Sequence, residues 1–314
     1  MPFETIGSPL LWAGFIGFVL VMLAIDLGVF HRKSHEVSLK EAGAWSAVWV
    51  AFAGVFTVLV YTWFGPERAL EFTTGYLIEK ALAVDNIFVF VIIFAAFSIP
   101  TAYQHKVLFW GVLGALGMRA AFILAGGAFL QRFHWAIYVF GGILAITGVK
   151  LLVQRDQEIH PERNVLVRAF QRILPVTHEP AGDKFTVVKD GRRYATPLLL
   201  ALVAVEVTDL IFAVDSIPAI FAITTDPFIV FTSNIFAILG LRSLYFLLAG
   251  IITRFVYLKV GLSLVLIFVG AKMLLMDVYK IPIVASLGII ASILGLSIAV
   301  SWLKPPSKPA SVEG

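Results

Sequence analysis

Five carboxylates lie inside apolar stretches of this 314-residue chain, where charged side chains are rare. They are Glu79, Asp85, Glu206, Asp209 and Asp215. An ionised carboxylate at the centre of a membrane-spanning helix costs about 2.5–3.5 kcal/mol, so these acids require counter-charges, protons, bound cations or water. Arg119 and Arg242 lie in neighbouring stretches and can form structural ion pairs, but two arginines cannot neutralise five acids. The pattern therefore predicts a functional anionic site.

The polar residues that accompany these acids offer oxygen ligands. They are Asn86, Thr208, Ser216 and Asn234. The chain has no cysteine, and its six histidines lie in loops or near the ends of apolar stretches. Oxygen-only sites suit magnesium, calcium and manganese, whereas zinc and copper favour imidazole or thiolate ligands. The predicted ligand is a hard divalent cation, although a proton relay would use the same residues.

A straight helix cannot place Glu206, Asp209 and Asp215 on one face. Glu206 and Asp209 are three residues apart and share a helix face, whereas Asp215 lies opposite Glu206 on an ideal helix. Convergence on one site therefore requires a bend, and Pro218 offers one because proline breaks the helical hydrogen-bond ladder. Asp26, near the inner end of the first apolar stretch, is either an access residue for the cation or a structural or snorkelling residue.

The apolar stretches predict an all-α, polytopic membrane protein. Hydrophobic residues make up 60% of the chain and charged residues only 14%, against about a quarter charged in soluble domains. Stretches of this kind are long enough to span a bilayer. We predict nine spans, at 9–30, 43–64, 70–98, 106–130, 134–154, 196–222, 228–252, 257–277 and 282–303. Residues 1–303 thus form one predicted membrane domain, followed by a predicted disordered tail at 304–314.

The lysines and arginines predict the orientation of these spans. With the N-terminus outside, the cytoplasmic loops hold 16 of the 24 basic residues and the outer loops hold three. This bias predicts an N-out, C-in topology, and it explains the net charge of +4 without nucleic acid as a partner. The long cytoplasmic loop at 155–195 contains a predicted β-hairpin around Asp190-Gly191, which we expect to be solvated and without chemistry.

The acidic motif occurs twice, which predicts an internal repeat. Glu79-Lys-Ala-Leu-Ala-Val-Asp85-Asn86 matches Asp209-Leu-Ile-Phe-Ala-Val-Asp215-Ser216. Gly117-Met-Arg119 matches Gly240-Leu-Arg242, and Gly148-Val-Lys150 matches Gly270-Ala-Lys272. The matches divide the centre of the chain into two three-helix units, at about 70–154 and 196–277. Because each unit has an odd number of spans, the two units are inverted, as in transporters whose site lies near the midplane between the repeats.

The acidic motifs resemble those of the TerC family, most closely its Alx branch. Supporting runs are Ala24-Ile-Asp26-Leu, Thr225-Asp226-Pro227-Phe and Asn234-Ile-Phe-Ala-Ile-Leu-Gly240-Leu-Arg242. The resemblance covers about residues 9–303 and implies membership of the LysE-type transporter superfamily. It implies a multi-pass protein of the inner, cytoplasmic membrane that exports manganese, with calcium as a second candidate cargo. It also implies that the five intramembrane acids are the residues on which this export depends.

Two other functional classes compete with export. The resemblance also implies a link to tellurite resistance, and it allows a membrane assembly factor that delivers metal to exported metalloenzymes near the secretion machinery. An intramembrane hydrolase with paired aspartates is disfavoured, because the chain has no Gly-x-Gly-Asp or His-Glu-x-x-His segment. We therefore expect a transporter that is not an enzyme and has no resident cofactor, and the sequence leaves its coupling ion and oligomeric state open.

Overall fold

The computed structural model describes residues 5–30, 38–133, 135–153, 175–177, 182–189, 191–249 and 257–303. Within the helices, the side chains at 26–30, 85, 131 and 215 lie outside this description. The predicted site residues Asp26, Asp85 and Asp215 are therefore placed only by their backbone. The predicted tail at 304–314 and residues 155–174, 178–181 and 190 of the predicted loop also lie outside the described residues.

Long helices make up most of the described chain. The first part contains α1 (Pro9–Phe30), α2 (Leu39–Phe64), α3 (Pro66–Ala96), α4 (Thr101–Arg132) and α5 (Ala136–Val153). Two short strands follow, β1 (Thr186–Lys189) and β2 (Arg192–Ala195). The second part contains α6 (Pro197–Phe221), α7 (Pro227–Leu239), α8 (Leu241–Leu248), α9 (Leu258–Leu274) and α10 (Ile283–Leu303).

The helices have the composition and exposure of membrane spans. Six described helical segments are long and apolar enough to cross a membrane, and the described apolar part of α1, Pro9–Ile25, is shorter. The apolar side chains of α2 and α10 are largely exposed, as Val58 (60%) and Leu296 (66%) illustrate. Such faces are stable only against lipid. The chain is an integral, multi-pass, all-α membrane protein, whereas nine crossings, the N-out orientation and the inverted repeats stay predictions.

Helix α7 lies at the centre of the bundle, because it is buried on nearly all sides. The predicted span over 228–252 contains two helices, which together are long and apolar enough to cross a membrane. The helix is interrupted at Gly240, between α7 and α8. Lys80 of α3 donates its ammonium to the Ala237 carbonyl at 3.3 Å, which takes an acceptor from the last turn of α7. Interrupted helices are tolerated at membrane depth where protein surrounds them.

Contacts between helix ends join segments that the predicted topology places on the same side of the membrane. Thr224 donates to the Glu71 carboxylate at 2.9 Å, which links the end of α6 to the start of α3. At the opposite end, Lys106 of α4 forms an ion pair with Asp183 at 3.0 Å. This hydrogen-bonded ammonium holds the pKa of the Asp183 carboxyl below its usual range. Each of these two contacts thus ties together segments that are distant in the sequence.

The segment with the predicted hairpin contains β1 and β2, paired antiparallel with Thr186 opposite Ala195. Gly191 in the turn has φ +74°, a left-handed conformation that favours glycine. Thr196 caps α6 and also donates its hydroxyl to the Lys184 and Phe185 carbonyls. The strands are therefore attached directly to the first turn of α6.

Helices α5 and α9 pack with their backbones close together. A Cβ atom at Gly270 would lie 2.7 Å from the Gly141 carbonyl oxygen, and one at Gly148 would lie 2.8 Å from the Ser263 carbonyl oxygen. Small residues allow such close approach between membrane helices. Gly148 and Gly270 are the glycines that the sequence matched between the two three-helix units, and both lie at this interface.

Candidate functional site

A buried arginine connects the two acidic motifs. Arg119 comes from α4 and is 2% exposed. Its Nη1 atom donates to Oε2 of Glu79 on α3 at 2.6 Å. Its Nη2 and Nε atoms donate to Oδ1 and Oδ2 of Asp209 on α6 at 3.1 and 3.2 Å, a bidentate arrangement. One guanidinium therefore binds the two acids that begin the repeated motifs.

Amide and hydroxyl oxygens complete the surroundings of this guanidinium. Arg119 Nη1 lies 3.3 Å from Oδ1 of Asn234 on α7 and 3.4 Å from the Ser216 hydroxyl on α6. Asn86 donates its amide to Oδ1 of Asp209 at 3.3 Å. We call these six residues the oxygen cluster. It consists of Glu79, Asn86, Arg119, Asp209, Ser216 and Asn234, all of them buried.

Two acceptor oxygens of the oxygen cluster have no hydrogen-bond partner among the described atoms. They are Oε1 of Glu79 and Oδ1 of Asn86, and Nδ2 of Asn234 is likewise without one. Buried polar atoms in proteins are nearly always satisfied, because leaving one unpaired costs about 1–3 kcal/mol. The two free oxygens therefore mark positions where a cation or water can bind.

A cavity of about 90 Å³ lies beside Arg119. Apolar side chains of α3, α5, α6 and α9 form most of its lining, and Asn86, Thr147 and Ser216 add polar atoms. This volume is ample for water, because one molecule needs only about 10–15 Å³ of such space. A second cavity, of about 10 Å³, is lined by Asp209 and Arg242 on another side of the cluster. The oxygen cluster thus borders two cavities, and the larger one has room for water.

The structure brings together six of the predicted site residues, and Arg119 has a more central position than the sequence indicated. From the sequence, we expected this arginine to form a structural ion pair with the acids from a neighbouring stretch. Charge counting along the chain does not reveal that a long side chain from α4 reaches between α3, α6 and α7.

Among the described residues, no three histidine or acidic side chains converge on a common point.

The remaining predicted residues lie around or outside the oxygen cluster. Glu206 faces Gly114 of α4, and the absence of a side chain there makes room for its carboxylate. Thr208 donates its hydroxyl to the Ala204 carbonyl of its own helix at 2.7 Å. Pro218 lies inside α6, three residues before the end of the helix. Arg242 lies in the first turn of α8 and lines the smaller cavity.

Sequence reasoning missed residues that shape the site without being charged. Thr147 of α5 lines the cavity of about 90 Å³ beside Arg119. Gly111 and Gly114 form the face of α4 that meets α6, because Cβ atoms there would contact Val205 and Glu206. Their spacing of three residues, which puts small residues on one helix face, is the signal that could have indicated this contact.

Comparisons with known proteins agree with this architecture. Residues 64–308 match the family model described as "Integral membrane protein TerC family". An "Uncharacterized membrane protein STKORF319" of Myxococcus xanthus is 61% identical over 309 residues, which cover 98% of this chain and 97% of that protein. The "Putative membrane-bound redox modulator Alx" of Escherichia coli (strain K12) is 48% identical over 311 residues, 96% and 97% of the two chains. No solved structure matches this chain.

Proposed function

The chain belongs to the TerC family of integral membrane proteins, and from this premise we propose that it exports manganese from the cytoplasm through the oxygen cluster. The observation that carries the proposal is a buried set of oxygen ligands with two free acceptor atoms, on helices from both halves of the chain. Burial of acids inside membrane spans is costly, and a transported cation is one of the few things that compensates it.

The chemistry of the ligands supports a hard divalent cation. Carboxylate, amide and hydroxyl oxygens prefer magnesium, calcium and manganese, which take six or more such ligands. Oε1 of Glu79 and Oδ1 of Asn86 are available, and Asp209, Ser216 and Asn234 supply further oxygens within the same cluster. By the sequence prediction, Asp85, Asp215 and Glu206 contribute additional carboxylates.

The name of the Escherichia coli relative speaks of redox modulation. The chain described here has no cysteine, so it has no thiol group with which to carry out such a role. Manganese is itself redox-active. Its export would therefore change the redox chemistry of the cytoplasm without any thiol in the transporter. Manganese as the cargo is therefore compatible with the relative's name.

Flux measurements in liposomes test the proposal. The purified protein is reconstituted, and the movement of manganese, calcium and magnesium is followed with internal indicators, with and without a pH gradient. We expect manganese flux that Glu79→Gln and Asp209→Asn each reduce at least about tenfold, because each removes a charged ligand. Asp85→Asn and Asp215→Asn test the sequence prediction in the same assay.

Glu71→Gln is the matched control, because Glu71 is also a buried carboxylate of α3 paired with an arginine. It lies outside the oxygen cluster, and its replacement should leave the flux unchanged. Manganese binding without any flux would contradict export and indicate metal delivery to a partner instead. Equal loss in Glu71→Gln and Glu79→Gln would show that the flux depends on helix packing rather than on the cluster.

A further inference from the structure

The guanidinium of Arg119 is surrounded by oxygen atoms of the kinds that bind hard cations. Five oxygen atoms lie within 3.4 Å of its nitrogens, from Glu79, Asp209, Asn234 and Ser216. Two of these residues are carboxylates, and all four are buried. Carboxylate, amide and hydroxyl oxygens are the ligand types that manganese or calcium prefers. A side chain of the protein therefore fills the place that suits the cargo.

We propose that Arg119 is a tethered substitute for the transported cation. It binds the carboxylates of Glu79 and Asp209 while the site is empty, and it withdraws when the metal enters. This inference rests on the proposed export of a divalent cation and specifies how the same site behaves without its cargo.

An ion pair elsewhere in the protein shows what a purely structural arginine contact looks like. At the start of α3, both oxygens of the Glu71 carboxylate accept hydrogen bonds from Arg68, and Thr224 donates to one of them as well. The Glu71 carboxylate is thus fully engaged. In the oxygen cluster, by contrast, Oε1 of Glu79 is without a partner. Arg119 satisfies its acids only in part, and a metal ion that accepts more ligands could satisfy them better.

The cavity of about 90 Å³ gives the displaced guanidinium a place to go. Arg119 itself borders this cavity, so its side chain needs to rotate but not to cross another helix. Most of this space is lined by apolar side chains, but Asn86, Thr147 and Ser216 also line it, and their oxygens can accept hydrogen bonds from the displaced group. The movement therefore exchanges one set of oxygen acceptors for another.

Substitution by an internal cation matters most for the return of the empty transporter. Two carboxylates without a counter-charge are strongly disfavoured inside the membrane. With Arg119 between them, the empty site can change its orientation without taking up another cation from outside. Without Arg119, the transporter can reorient easily only when it carries metal. It would then exchange manganese for manganese but would not release it in net amounts.

Two flux assays on the reconstituted full-length protein separate these behaviours. Net flux is measured from manganese-loaded into manganese-free solution, and exchange is measured with a radioactive manganese tracer at equal concentrations on both sides. In Arg119→Gln, we expect net flux to fall by about 100-fold or more, because the empty site keeps an uncompensated buried charge. Exchange should stay within about threefold of wild type, since the metal itself neutralises the acids. Arg119→Lys keeps a cation and should retain part of the net flux.

Arg68→Gln is the matched control, because it removes an arginine from a buried carboxylate outside the oxygen cluster. It should leave the ratio of net flux to exchange unchanged. If Arg119→Gln is too unstable to assay in apo form, thermal unfolding in detergent gives a second readout. Manganese should raise the unfolding temperature of Arg119→Gln more than that of wild type, because the metal then replaces a missing cation.

The outcomes distinguish failure of this inference from failure of the proposed function. If wild type moves manganese but Arg119→Gln loses net flux and exchange in equal proportion, or loses neither, Arg119 is not a substitute cation. An unfolding temperature of Arg119→Gln that does not respond to manganese would also overturn the inference. If wild type moves no manganese in either assay, the proposed export itself is wrong.

Discussion

Replacing Gly270 with alanine should weaken the contact between α5 and α9. A Cβ atom there would lie 2.6 Å from the Ala145 nitrogen and 2.7 Å from the Gly141 carbonyl oxygen. Both neighbours are backbone atoms, so the helices themselves must separate to restore an ordinary contact of 3.4 Å or more. Overpacking of this kind costs about 1–3 kcal/mol. Alanine offsets roughly 0.5–1 kcal/mol of this through its better helix propensity.

We therefore expect Gly270→Ala to lower the free energy of unfolding by about 1–2 kcal/mol. Unfolding can be measured by titrating the purified protein in mixed micelles with sodium dodecyl sulfate while recording circular dichroism. Gly142→Ala is the control in the facing helix, because nothing lies within 4 Å of a Cβ atom at that position. It should leave the stability unchanged or raise it. Equal stabilities of the two variants would refute the close backbone contact.

The Gly270→Ala substitution also tests whether helix packing affects the candidate site. Thr147 of α5 and Leu266 of α9 both line the cavity of about 90 Å³ beside Arg119. Separating the two helices should widen this cavity and loosen the surroundings of the guanidinium. Manganese flux in liposomes should therefore fall in Gly270→Ala and persist in Gly142→Ala.

Two further substitutions test other contacts. Gly114→Ala should reduce manganese flux several-fold, because the new methyl group would overlap the Glu206 carboxylate. In Gly117→Ala, in the same helix, the new methyl group meets nothing within 4 Å, and the flux should not fall. Equal flux in both variants would exclude a role for Glu206. Asp226→Ala should lower the free energy of unfolding by about 1–3 kcal/mol, because this carboxylate caps α7 and accepts hydrogen bonds from Thr5 and Ile6 at 2.8 Å. In thermal or detergent unfolding, Thr5→Ala should cost less, since it removes only one of these bonds, and the opposite ranking would contradict the capping role.

The positions of the helices could be predicted closely because their signals are local in the sequence. The sixth predicted span was 196–222, and α6 occupies Pro197–Phe221. Thr196 accepts the N-cap hydrogen bond there, and Pro197 fits the first turn of a helix. A long apolar stretch between such boundaries forms a helix whatever its neighbours are. The interruption at Gly240 could not be predicted in this way, because it involves Lys80 from another helix.

The composition of the candidate site could be predicted, but its connections could not. The repeated motif identified Glu79 and Asp209 as equivalent acids, and both bind Arg119. Spacing along a helix shows which residues share a face, but it gives no distance between helices. Glu206 and Asp209 share a face, yet only Asp209 reaches the guanidinium, because Glu206 lies against Gly114. The packing of α4 against α6 therefore decides which acid binds the arginine.

Under the proposed function, the geometry of the guanidinium explains how the oxygen cluster would hold either an arginine or a metal ion. A guanidinium is planar and donates in fixed directions, so it pairs well with the two oxygens of Asp209 and with one oxygen of Glu79. Oε1 of Glu79 and Oδ1 of Asn86 are without a partner. A divalent ion has no such planar restriction and can draw these two oxygens into its shell as well. In the proposed cycle, the oxygens that Arg119 leaves unpaired would therefore give a metal ion its advantage over the arginine. The arginine's permanent attachment would let it return once the metal has left.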